Sequence, residues 1–125
     1  MNFVLDPKAS GLGKVLREYQ REALRFMWKS EGKGLTSRIV HSHVNERLNG
    51  GKSISRASII NFLNAMVDEG VLDYVEETGK GGFHRVYSAK IDEAGFKRML
   101  AKSFIASLMK DFPDETKKVI KGYFE

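Results

Sequence analysis

The run SISRASIINFLNAMVDEGVLDYV, residues 53–75, decides the fold. Within it Ile59, Phe62, Leu63, Met66 and Val67 recur at the i, i+3, i+4, i+7 spacing of one helical face, and Gly70 closes the segment. Ser53 or Ser55 stands where a hydroxyl can cap the first turn. Past Gly70 the pattern changes. Val71, Leu72, Tyr74 and Val75 suit a strand, Thr78 to Gly82 is glycine-rich, and Phe83, Val86 and Tyr87 suit a returning strand. A helix followed at once by a β-hairpin with a flexible tip is the expectation.

Upstream, Leu16, Ala23, Leu24, Met27 and Trp28 share one face of a helix from Arg17 to Lys29, which Gly32 and Gly34 end. Thr36 can cap a second helix, Ser37 to Leu48, in which Val40, Val44 and Leu48 form a narrow stripe before Asn49, Gly50 and Gly51 stop it. Met1 to Leu12, with Pro7 and Gly11, reads as a partly extended arm without a motif. Downstream, a long helix from Asp92 carries Phe96, Met99, Leu100, Phe104, Leu108 and Met109, Phe112 and Pro113 break it, and Asp114 is expected to cap a last short helix. The expected class is mainly α with a small β-hairpin, α+β. The expected organisation is an arm at 1–15, a winged helix-turn-helix at 16–90 and a helical region at 91–125.

Composition narrows the function. At 125 residues, 42% hydrophobic and 30% charged, the chain fits one ordinary globular domain. No apolar run approaches the roughly 18 residues of a membrane span, and no secretion signal opens the sequence, so a cytoplasmic location is expected. The absence of cysteine excludes disulfides and thiolate metal sites. His41 and His43 are two apart on a helix and point in different directions, a poor metal pair, and His84 falls on the hairpin, so no metal, cofactor or catalytic set is expected. A net charge of +5 suits a polyanionic partner.

Three helices and a hairpin are the order of a winged helix-turn-helix, whose third helix enters the major groove of duplex DNA while the hairpin follows the backbone. If Ile59, Phe62, Leu63 and Met66 face the core, then Arg56, Ala57, Ile60, Asn61 and Asn64 face away and become candidate base readers. The plain alternative makes Ile60 a residue at the margin of the core and the two asparagines ordinary solvated groups. Thr36, Ser37, Arg38, Lys52, Ser53, Ser55 and Ser58 lie near helix starts, where a phosphate is favoured, although capping alone accounts for hydroxyls there. Lys80, His84 and Arg85 on the hairpin are further candidates for the DNA backbone, against the reading of a simple exposed turn. The helix from Phe96 to Met109, with Phe112, carries more large apolar side chains than one small domain needs. A second copy of the chain would cover them, unless the helix folds back on the first helix of its own chain. The rival to DNA binding is a winged-helix module that binds protein in a transcription assembly.

The runs LREYQREALRFMW (16–28), LTSRIVHSHVN (35–45), SRASIINFLNAMVDEGVLDY (55–74) and HRVYSAKI (84–91) resemble the penicillinase repressor family of the BlaI/MecI type, over about Leu16 to Phe112. The resemblance implies a winged-helix DNA-binding region, homodimerisation through C-terminal helices and repression at a dyad-symmetric operator. It also implies induction by a protease that cuts before a phenylalanine, within a segment that Ser107 to Phe112 resembles. Here Asp111 stands where an asparagine is expected and Pro113 follows. Copper-responsive relatives use a cysteine cluster that this chain lacks. The basic residue usual in the first turn of the reading helix is missing at Ala57 and Ile60.

Overall fold

The structure, a computed structural model, describes residues 3–125. The first two residues of the expected arm lie outside it. The chain divides into two compact units, Met1–Asp92 and Glu93–Glu125.

In the first unit a 3-10 turn at Gly11–Lys14 precedes α1 (Glu18–Lys29), β1 (Leu35–Thr36), α2 (Ser37–Arg47), α3 (Arg56–Asp68), β2 (Leu72–Gly79) and β3 (Gly82–Ala89). The N-terminal segment is folded back rather than extended. The Asp6 N–H donates to the Lys14 carbonyl at 2.7 Å, and Lys14 Nζ returns a bond to the Ala9 carbonyl at 2.6 Å. This short closed loop is held by its backbone and the Lys14 side chain, which an absence of apolar periodicity does not reveal.

Helix starts follow their caps. The Gln20 Oε1 accepts from the Arg17 N–H at 2.9 Å at the head of α1. Thr36 Oγ1 accepts from the Ile39 N–H at 3.3 Å, and Ser55 Oγ from the Ser58 N–H at 3.1 Å. Gly70, at φ 79°, supplies the left-handed turn that ends α3. The apolar stripes then meet. Leu24, Met27, Val40, Val44, Ile59, Leu63, Val71 and Leu72 are buried almost completely, each such side chain contributing about 1.5–3 kcal/mol of hydrophobic stabilisation. The Trp28 Nε1–H donates to the Ile91 carbonyl at 3.1 Å and ties α1 to the chain just past β3.

The sheet has three strands in the order β1-β3-β2, all antiparallel. β1 is only two residues long, pairs Leu35 with Tyr87 and Thr36 with Val86, and was not foreseen. The hairpin is also longer than the sequence indicated. Pairing continues to Gly79 and Gly82, and the turn itself is only Lys80 and Gly81.

In the second unit α4 (Glu93–Asp111) and α5 (Pro113–Gly122) are separated at Phe112. Asp114 is not the cap of α5. Proline occupies the first helical position, where its missing N–H and fixed φ are at no disadvantage, and this moves the start back to Phe112. Asp114 instead lies in the first turn, where its charge favours the helix dipole. Phe96 and Leu100 are buried within the single chain, so neither is left to face a second copy as expected. Met99, Phe104 and Met109 are half-buried, while Leu108 and Phe112 are exposed.

Between α1 and α2, the rings of Phe26 and His43 stack at 3.7 Å and 8°. Burial, then the nearby Arg47, lowers the His43 pKa below its ordinary value of 6.5. The unfolded imidazole therefore binds its proton more readily than the folded one. Its contribution to stability is complete above about pH 6.5 and is lost as pH falls through the folded-state value. Urea unfolding at about pH 7.5 and about pH 5.5 is expected to show a smaller acid-induced loss for His43→Phe, which keeps the stack and removes the titration. An identical loss in both proteins would assign the acid sensitivity elsewhere.

Candidate nucleic-acid interface

The interface is organised by what holds α3. Asn45 of α2 grips the turn before α3, with Oδ1 accepting from the Ile54 N–H at 2.8 Å and Nδ2 donating to the Ile54 carbonyl at 3.3 Å. His41, one helical turn earlier, places Nε2 2.9 Å from that carbonyl and 2.9 Å from Asn45 Nδ2. One ring nitrogen cannot donate to the first and accept from the second at once. Either tautomer nevertheless supports the same clasp. From the other side, Glu18 accepts from Asn49 Nδ2 at 3.1 Å and lies 3.7 Å from Lys52 Nζ. The angle at which α3 leaves the turn is thus fixed by α1 and α2 together. The sequence reading missed this clasp, because His41 was weighed only as a metal or catalytic candidate and Asn45 was given no role of its own.

On α3 itself, Ile59, Phe62, Leu63 and Met66 are buried, and Arg56, Ala57 and Asn61 are exposed on the other side. Ile60 is half-buried, at the edge between them. Arg56 Nη2 reaches Ser37 Oγ at 3.5 Å, which brings the starts of α2 and α3 side by side. Two helix N-termini with exposed Arg38, Lys52 and Ser53 near them make a surface favourable to phosphate. The two candidate serines separate cleanly. Ser55 is consumed as the cap and donates its hydroxyl to Ser58 Oγ at 2.9 Å, whereas Ser53 is exposed before the helix.

Asn64 does not fit the role expected of it. Its Oδ1 accepts from Arg85 Nη1 at 3.0 Å and from the Tyr87 hydroxyl at 2.6 Å. Bidentate pairing with adenine needs that oxygen free, so Asn64 is a strut between α3 and β3. Arg85 likewise does not fit the backbone-contact role expected of it, since its guanidinium is held by Asn64 and also lies 3.9 Å above the Tyr74 ring. Burial raises the pKa of Tyr87, against the pull of Arg85, and keeps the phenol a donor. Lys80 stays exposed at the turn, and His84 lies 4.0 Å from Glu77 across the hairpin.

A three-helix core whose third helix is clasped at its start and strutted to a β-hairpin is a winged-helix fold. Among solved structures, the chain is similar to a proposed transcriptional regulator from Thermoplasma acidophilum, with a TM-score of 0.50 and 19% identity over 81% of this chain and 90% of that one. At that identity the likeness bears on the fold. No family model matches the chain, and no curated protein matches it either. The resemblance to the penicillinase repressors therefore rests on the quoted runs. Among the described residues there is no group of three acidic, histidine or cysteine side chains placed to hold a metal, and no helix long and apolar enough to cross a membrane.

Proposed function

We propose that this protein is a sequence-specific, double-stranded DNA-binding transcriptional regulator that acts as a homodimer and represses by occupying a dyad-symmetric operator. The observation that carries the reading is the exposed face of α3, with Arg56, Ala57 and Asn61 outward and Ile60 beside them, on a helix whose other face is buried. Arg56 has the chemistry to read guanine and Asn61 adenine, and Ala57 and Ile60 to meet thymine methyl groups. Ser37, Arg38, Lys52, Ser53, Ser58, Lys80 and His84 would hold the phosphates on either side, and Thr36, used as the cap of α2, would contribute that helix start. Ser55, used as the cap, would contribute its helix start rather than its hydroxyl.

The second unit supplies the support for a dimer. Ile105, Leu108, Phe112, Val119, Tyr123 and Phe124 are exposed there, more apolar surface than a lone pair of helices should leave in water. Met99, Phe104 and Met109 would lie at the rim of such an interface. A dimer would place two reading helices about 34 Å apart, one turn of DNA. The Asp111–Phe112 bond, at the exposed break between α4 and α5, is where a regulatory protease would act if induction follows the pattern of the penicillinase repressors.

Fluorescence anisotropy on a duplex selected from a random library tests the reading, with an unselected duplex as control and a titration of stoichiometry. Two chains per duplex and a preference of at least ~1,000-fold are expected. Arg56→Ala is expected to lower affinity for the selected duplex by about 10- to 100-fold and to relax its preference at one base pair. Absence of binding to either duplex would favour a protein-binding winged-helix module.

A further inference from the structure

Three large apolar side chains of the hairpin are exposed, Tyr74, Val75 and Phe83, and Phe83 is the most exposed of them. Phe83 is 77% exposed, although it lies in β3 one residue past the turn segment. Side chains alternate along a strand, so Phe83 shares a face with Arg85 and Tyr87. Both of those reach Asn64, which shows that this face is turned toward α3. Tyr87 is four residue steps from Phe83, which sets the ring about 13 Å further out along the hairpin. The ring therefore projects from the α3 side of the hairpin, beyond the last bond that joins the two elements.

Its surroundings favour an anionic, closely approaching partner. Lys80 is exposed at the turn beside it. Gly81 and Gly82, at φ 91° and 107°, present no side chain that would hold a second backbone away. Of the nearby acids, Glu76 is set across from Arg85, and Glu77 pairs with His84 on the opposite face.

We propose that Phe83 is an apolar wedge that enters the minor groove of duplex DNA beside the major groove occupied by α3, with Lys80 on the flanking phosphates. This rests on the DNA-binding reading above. In the groove the ring buries against sugar carbons and base edges and partly unstacks one step, a use of phenylalanine that bends the duplex and enlarges the contact. The ring offers guanine's minor-groove amine no acceptor. The wedge thus selects flanking A·T pairs and easily unstacked pyrimidine–purine steps, outside the bases that α3 reads.

The test uses the full chain and a fluorophore-labelled selected duplex, read by anisotropy for affinity and by end-to-end energy transfer for bending. Phe83→Ala is expected to weaken binding about tenfold and to reduce the bend, with the salt dependence unchanged. Phe83→Leu, which keeps an apolar wedge, is expected to retain most of both. Lys80→Ala is expected to lower the salt slope by about one unit. Exchange of G·C for inosine·C under the wing removes only the minor-groove amine. That exchange is expected to tighten binding of the unaltered protein and leave Phe83→Ala indifferent. Phe83→Ala melts like the parent because the ring is exposed, so a lost fold cannot imitate the effect. Equal affinity and equal bending in Phe83→Ala would overturn the wedge and leave the DNA-binding reading standing. Failure of the unaltered protein to bind any duplex would overturn both.

Discussion

Replacement of Asn45 by alanine is expected to lower the free energy of unfolding by about 2–3 kcal/mol. The residue satisfies both backbone groups of Ile54, at 2.8 Å and 3.3 Å, in a partly buried turn. With the carboxamide gone, the N–H loses its partner and the carbonyl keeps only what His41 can offer. Urea unfolding with an unchanged slope would report the loss directly. Asn45→Asp provides an internal scale, since it retains the acceptor for the Ile54 N–H and discards the donor, and it should fall between parent and alanine. If α3 reads DNA as proposed, affinity should fall in the same order as stability, because the clasp sets the angle at which that helix leaves the turn. A loss under roughly 0.5 kcal/mol would mean that water replaces the carboxamide without cost.

The second large effect is expected at Gly34, just before β1. A β-carbon built there runs into Val86 Cγ1 on β3. Gly34 has no positive φ, so the conflict is one of space alone. Gly34→Ala is expected to cost about 2 kcal/mol, net of the small gain that alanine brings by restricting the unfolded chain. Val86→Ala removes the obstructing methyl groups. The double variant should therefore be more stable than the sum of the two single losses implies, and thermal or urea unfolding of all four proteins completes the cycle. Additive losses would show that the strand is disturbed by some route other than this contact.

Those two residues also mark where the sequence was and was not legible. Features carried within a few consecutive residues were readable: the Thr36 and Ser55 caps, the Gly70 stop and the spacing of Ile59, Phe62, Leu63 and Met66 all recur in the structure. The exposed Arg56, Ala57 and Asn61 follow from that spacing alone. What depends on partners distant in sequence was not readable. β1 has two residues, too few for any alternation, and exists because β3 pairs with it. Asn64 looked like a solvent-facing reader because nothing local shows that residues 21 and 23 positions later will take its oxygen. Phe96 and Leu100 were assigned to a second chain on apolar character alone, which cannot tell burial in one's own chain from burial in another. Phe83 was counted simply as a strand former, since β propensity says nothing of which end of a hairpin stands free.

The oxygen of Asn64 joins β3 to α3 through two bonds on a single atom, so α3 and the hairpin act as the two fixed jaws of a caliper. A caliper does not adjust to the object it measures. If both jaws touch one duplex, the separation between adjacent grooves has to come to the protein, and sequences differ in how readily they yield. Selectivity would then extend to base pairs that no side chain reaches, expressed as the ease with which the intervening DNA is compressed or bent to the gauge.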